Sequence, residues 1–186
     1  RRQRQMCIRD RGYNAHGQLG QGNTSYIGDG SGEMGDNLPA IDLGTGRTAT
    51  AIATGNYHTI ALLDNGTVKT WGYNNFGQLG DDTNSDRNYP AQAGTGTDWS
   101  SIAAGLYHTV ALKSDGTLWS WGGNDYGQLG DGSNNYRNSP TQVGTNTDWY
   151  YIADGYYHTV ALKSEGTLWS KSEKNIRQDA TDELAD

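Results

Sequence analysis

A fifty-residue period constrains this chain more than any other feature. Residues 71–120 and 121–170 align without a gap and are identical at 34 of 50 positions. A third copy precedes them, from Gly12 to Thr70, with about ten extra residues that lie mostly between Gly20 and Pro39. Anchors hold the register: His58, His108 and His158 are 50 apart, as are Trp71 and Trp121, and Gly77 and Gly127. Such a unit is one supersecondary element. It cannot bury its apolar face alone and is stable only when stacked on its neighbours.

Composition by itself points elsewhere. Leu, Ile, Val and Phe make up 26 of the 186 residues, or about 14%, below the roughly 20% at which a charged chain is suspected of disorder. Gly is abundant at 27. Yet there are 6 Trp and 12 Tyr, and disordered chains are poor in aromatics. Each ring can bury on the order of 150–250 Å², so a core of Trp, Tyr, Ala and a few aliphatics is feasible. The low aliphatic content argues against a helical bundle, which needs Leu-rich stripes of helical period. No run of about 18 apolar residues offers a membrane-spanning helix.

Within a copy the local signal is strand and turn. Tyr107–Lys113 alternates, with His108, Val110 and Leu112 on one face. Thr117–Trp121 is a second strand, joined to the first by a short loop in which Gly116 supplies the turn. Trp99–Ala103 is a third. The segment after Pro90 is a fourth, with proline expected at its first residue, where the missing N–H does no harm. No stretch has helical periodicity with caps. Four short strands per fifty residues describe an all-β propeller blade.

The phrases Trp-Gly-x-Asn-x-x-Gly-Gln-Leu-Gly (71–80, 121–130) and Gly-x-Tyr-His-Thr-Val-Ala-Leu (105–112, 155–162) carry a resemblance. They resemble the repeat of the regulator of chromosome condensation family, over residues 12–170. The resemblance implies a propeller, usually of seven blades. It also implies roles that range from nucleotide exchange on a small GTPase through chromatin attachment to inhibition of a β-lactamase. The phrasing is closer to the bacterial branch of the family.

Three repeats (12–70, 71–120, 121–170) cannot close a ring that takes 4–8 blades. The expected fold is therefore a partial β-propeller, about three four-stranded blades of an expected seven. It forms an open arc whose edges await neighbouring blades missing from this chain. The reading is of a fragment of a longer protein. The ends depart from the period: Arg11 and Lys171 stand where Trp71 and Trp121 predict tryptophan. The leader 1–11 resembles translated sequencing-adapter sequence and is expected to be non-native. The polar tail 171–186 is expected to be disordered or non-native.

Charge narrows the partners. Residues 12–170 carry 6 basic and 15 acidic side chains, so direct binding to nucleic acid is not expected. The single cysteine, Cys7, cannot form an internal disulfide. An extracellular or cell-surface location is favoured over a cytoplasmic one.

The three histidines tempt as catalytic or metal residues, but a unique site has no need of three copies 50 residues apart. His58, His108, His158, Trp71, Trp121, Gly77 and Gly127 are therefore assigned to the scaffold, and no catalytic residue, metal or cofactor is expected. Acids at 29–33, 81, 82 and 131 supply oxygens without the pattern of an EF-hand. Function is sought where the copies differ. That places Tyr136, Tyr150, Asp154, Tyr156, Asp82 and Tyr89 on a partner-binding surface, since tyrosine is enriched at interfaces. The expected function is a non-enzymatic scaffold that binds a protein partner through variable loops on one face. The alternatives are a nucleotide-exchange regulator of a small GTPase and a cell-surface carbohydrate-binding module.

Overall fold

The computed structural model describes residues 12–28, 30, 33 and 39–171. The leader 1–11, the tail beyond Lys171 and much of the acidic run 29–33 lie outside the described residues. Eleven strands follow in order: β1 Ala49–Thr54, β2 His58–Leu63, β3 Val68–Gly72, β4 Arg87–Gln92, β5 Trp99–Ala104, β6 His108–Lys113, β7 Leu118–Gly122, β8 Arg137–Gln142, β9 Trp149–Asp154, β10 Thr159–Lys163 and β11 Leu168–Lys171. They form three antiparallel sheets ordered β1-β2-β3-β4, β5-β6-β7-β8 and β9-β10-β11. Each sheet is a blade. The first strand of a blade packs on the first two strands of the blade before it, β5 on β1 and β2, β9 on β5 and β6. The result is an open arc, a partial β-propeller.

Each four-stranded sheet draws on two sequence copies. The first blade takes β1 to β3 from the copy that ends at Thr70 and its immediate continuation, then β4 from the copy beginning at Trp71. The proline of β4 differs from its expected place. Pro90 is the fourth of six residues, not the first. It is tolerated because β4 is the outer edge strand and its register slips between Thr70 and Gly72. A bulged edge is where a residue without an N–H can sit.

Strands β2 and β6 are buried on both faces, so their alternation does not separate core from solvent. The core lies between blades. Ile60, Leu62 and Val68 of the first blade meet Trp99, Ala111 and Trp121 of the second. Val110, Leu112 and Leu118 of the second meet Ile152 and Ala161 of the third. Truncating a tryptophan as buried as Trp71 or Trp121 would cost about 3–5 kcal/mol.

A polar latch repeats at each interface. After β3 the chain forms a loop organised by Asn74, whose Oδ1 accepts from Leu79 N (2.9 Å) while Nδ2 donates to the carbonyls of Thr83 and Ser85 (3.0 and 3.1 Å). The loop presents the Gln78 carbonyl to the next blade, where it accepts the Trp121 indole N–H (3.0 Å) and the Thr109 hydroxyl (2.9 Å). One copy earlier, Gln18 O accepts from Trp71 (2.8 Å) and Thr59 (2.9 Å). The Thr109 proton is thereby committed. The hydroxyl must accept the third bond, from His58 Nε2–H at 3.2 Å. His58 is consequently the Nε2–H tautomer, and burial, with a smaller contribution from His108, lowers its pKa to about 3.

At the hairpin tips Gly66 and Gly116 neighbouring backbone leaves no room for a side chain, whereas some loop glycines face open space. A Cβ at Gly116 (φ +78°) would lie 2.1 Å from the Thr147 carbonyl oxygen, whereas one at Gly132 (φ +80°) would meet nothing within 4 Å. Gly132→Ala is expected to cost about 1 kcal/mol for backbone strain alone. Gly116→Ala is expected to cost about 2–4 kcal/mol, strain plus overpacking. Urea titration of both variants checks the difference, and equal losses would refute the close approach.

The His58 shift gives a second expectation. Its folded pKa is depressed, so below the unfolded value of 6.5 the unfolded chain takes up a proton that the fold refuses. The stability is present above pH 6.5 and is lost as pH falls toward 3, at about 1.4 kcal/mol per unit. Between pH 7 and 5 the melting temperature should fall by roughly 4–8 °C, and His58→Gln should flatten that slope. A wild-type melting temperature independent of pH in this window would count against the assignment.

Candidate functional site

The sequence-predicted surface residues do not form one patch. Tyr156 and Tyr136 are exposed and lie toward one end of the blades, where β2, β6 and β10 begin. Tyr150 is 72% exposed but is the second residue of β9, roughly 20 Å along the strand direction from Tyr156. Tyr89 is exposed on the outer strand β4. Asp82 is exposed in the loop after β3, in a left-handed conformation (φ 62°) where the flanking copies have Gly22 and Gly132. Its divergence carries backbone strain and no side-chain partnership with the other five.

Asp154 is not a surface acid. Its carboxylate is buried, 3.5 Å from His108 Nε2, with neither oxygen hydrogen-bonded. His108 Nε2 also faces Thr159 Oγ1 at 3.1 Å. Thr159, His108 and Asp154 therefore place a hydroxyl, an imidazole and a carboxylate together. The grouping lacks the geometry of a nucleophile relay, which needs hydroxyl and carboxylate on opposite ring nitrogens. Here both address Nε2, and Nδ1 is buried without a partner. Thr159 is spent on the Gln128 carbonyl (3.0 Å), as Thr109 is on that of Gln78.

Among the scaffold residues, His58, Trp71 and Trp121 make the latch contacts described above. Gly77 and Gly127 sit in the loop, each N–H donating to an asparagine carbonyl, Asn74 at 2.9 Å and Asn124 at 3.1 Å. His158 differs from the other two histidines. It precedes β10 and is exposed, because among the described residues no further sheet covers that face. No group of three or more His, Cys, Asp or Glu among the described residues could hold a metal ion. Asp81 and Asp131 are held by Arg87 and Arg137, each at 2.7 Å. Burial would raise these carboxyls, but hydroxyl and guanidinium hydrogen bonds more than offset it and hold both below the usual range. No helix among the described residues is long and apolar enough to cross a membrane.

What the structure does bring together is a stripe of aromatic rings. Tyr26 packs on Tyr13 (5.2 Å between centroids), Tyr13 on Tyr57 (5.8 Å) and Tyr57 on Tyr73 (6.3 Å). Tyr73 continues to Tyr107 (5.8 Å), Tyr107 to Phe76 (4.7 Å) and Phe76 to Tyr136 (5.3 Å). On the third blade Tyr126, Tyr157 and Tyr156 form the same kind of cluster, at 4.8 and 4.6 Å. One contact recurs in every copy: His16 on Tyr57, Phe76 on Tyr107, Tyr126 on Tyr157. A second changes character. His16 bonds Asp86 at 2.8 Å, and one copy on the same two positions are Phe76 and Tyr136 in ring contact. Burial and neighbouring rings push the phenols of Tyr107 and Tyr157 up, and the hydrogen bond to Asp125 pushes that of Tyr136 up.

Sequence variation picked out Tyr136 and Tyr156 of this stripe but not Tyr57, Tyr107 and Tyr157, which are constant. Their signal was aromatic periodicity beside a buried histidine, which reads equally well as packing.

Two models of the regulator of chromosome condensation (RCC1) repeat match the chain, one at residues 65–112 and 115–162, the other at 49–78 and 99–128. A protein RCC2 homolog of Danio rerio is 40% identical over 76 residues, which is 40% of this chain and 14% of the relative. Among solved structures, human WBSCR16 superposes with a TM-score of 0.71 at 21% identity, over 84% of this chain and 40% of that one. The structure titled Kap60 bound to yeast RCC1 (Prp20) matches with a TM-score of 0.59 at 28% identity, over 67% of this chain and 32% of that one. A second structure, of Saccharomyces cerevisiae Prp20p, described with its binding to Gsp1p and histones, gives 0.58 at 27%, over 67% and 33%. The chain thus spans well under half the length of each of these proteins. The family models together match residues 49–162, more than half of the chain: the chain belongs to the regulator of chromosome condensation (RCC1) repeat family.

Proposed function

We propose that this propeller scaffold is non-enzymatic and binds a protein partner along the aromatic stripe. The supporting observation is the stripe itself, rings in contact from Tyr26 to Tyr136 over the first two blades and a matching cluster on the third, with Tyr13, Tyr26, Tyr126, Tyr136, Tyr156 and Tyr157 exposed. Large amphipathic rings bury much area at low entropic cost, and interfaces are enriched in them. Acids border the stripe at Asp86 and Asp125, which favours a partner with basic groups at the rim.

Two other readings stay open to test. Exchange on a small GTPase, which the family resemblance implies, is one; the similar Prp20p is described as binding Gsp1p and histones. Tyrosine platforms also suit sugars, so carbohydrate binding is the other.

Immobilised protein is expected to capture a protein from host extract. The combined substitution of Tyr13, Tyr126, Tyr156 and Tyr157 by Ser should weaken capture about tenfold or more. Stability should change little, since surface substitutions are usually within about 0.5 kcal/mol each. Undiminished capture by this variant would remove the stripe from the interface. Saturable binding on a glycan array, lost in the same variant, would favour the carbohydrate reading. A screen of ester, peptide and glycoside substrates should show no turnover, and turnover abolished by His108→Ala would defeat the scaffold reading.

A further inference from the structure

We infer that the cavity between the second and third blades is a ligand site for a flat aromatic ring bearing an N–H donor, with indole as its simplest occupant. The cavity measures about 290 Å³ and lies apart from the aromatic stripe. Its walls include Val110, Leu118, Val143, Trp149 and Ala161. Counted back by one period these are Ile60, Val68, Ala93, Trp99 and Ala111, the residues that enclose the Trp121 indole between the first and second blades. The two spaces are thus copies of one another, built by the same strands in the same register. Position 121 supplies tryptophan to the first, and position 171 is lysine.

The polar end of the cavity is copied as well. In both earlier interfaces a glutamine carbonyl takes two donors, a threonine hydroxyl and an indole N–H: Gln18 from Thr59 and Trp71, Gln78 from Thr109 and Trp121. Gln128 lines the cavity and accepts the Thr159 hydroxyl at 3.0 Å. A carbonyl oxygen has two lone pairs, and at Gln128 the second is the one its counterparts give to indole. Mostly apolar walls with a few placed polar groups, here the Gln128 carbonyl among them, are the usual make-up of a small-molecule site. Trp149 adds a ring face or edge, as Trp99 does for Trp121 at 5.9 Å. A charged ring would lose its hydration without compensation there, so the ligand class is neutral.

Titration calorimetry of the full chain with indole tests this. We expect saturable 1:1 binding. Lys171→Trp places the ring covalently, so it should abolish indole binding and raise the melting temperature. Lys171→Ala supplies no ring and should bind indole as the wild type does. Methylation of the ring nitrogen removes the donor, and 1-methylindole should bind about tenfold more weakly, the equivalent of one lost hydrogen bond. N-acetyl-tryptophanamide distinguishes the sources. Affinity equal to that of indole marks a tryptophan side chain of a polypeptide as the occupant, and binding of indole alone marks a free heterocycle. The site is refuted by absence of saturable indole binding, by binding that Lys171→Trp leaves unchanged, or by equal affinity for 1-methylindole.

Discussion

The carbonyl oxygen of one glutamine per repeat is the constraint on which the fold turns. It ends a loop that leaves one blade and receives both the indole N–H and the threonine hydroxyl of the next. Those two donors would otherwise be buried without partners, at about 1–3 kcal/mol each. Meeting them fixes the angle at which the next blade is placed. The indole can then be wholly apolar on every other side. Asn14, Asn74 and Asn124 hold the loop rigid from within, each accepting a leucine N–H and donating to two carbonyls.

A sheet built from two sequence copies adds a second coupling. Strand β4 belongs by sequence to the copy that also supplies the second blade's β5 to β7. A four-stranded blade therefore cannot form from one copy alone. This accounts for the low aliphatic content. The hydrophobic contacts lie between sheets, where Trp, Ala and one or two aliphatics per strand suffice. Glycine is spent on turns that approach neighbouring backbone more closely than any Cβ allows.

Repetition also explains how a surface arises. A ring that projects from the start of β2 reappears on each following blade, so a single tyrosine per copy seeds an aromatic cluster on every blade. Contacts within the stripe can then change pairwise while the backbone stays constant, as His16–Asp86 becomes Phe76–Tyr136. The buried Asp154 beside His108 is the opposite case. It is a change confined to one interface, where the equivalent positions carry Thr54 and Ala104.

Much was legible in the amino-acid order. The period, the strand-and-turn pattern and the motif phrases determined an all-β propeller repeat, because each copy restates the same turn glycines and the same donors. The function of the histidines was legible only as architecture in general terms. Which atom each addresses depends on a threonine 51 residues away on another blade. Comparison of copies dispersed the candidate surface over both ends and the outer edge of the blades, since variation along the chain carries no information on direction in space. The three-dimensional packing alone decided that constant tyrosines line one face, that Asp154 is buried, and that lysine at 171 accompanies a cavity shaped like the Trp121 site. These are properties of juxtaposition between blades, and spacing within one copy specifies the blade but not what its neighbour brings against it.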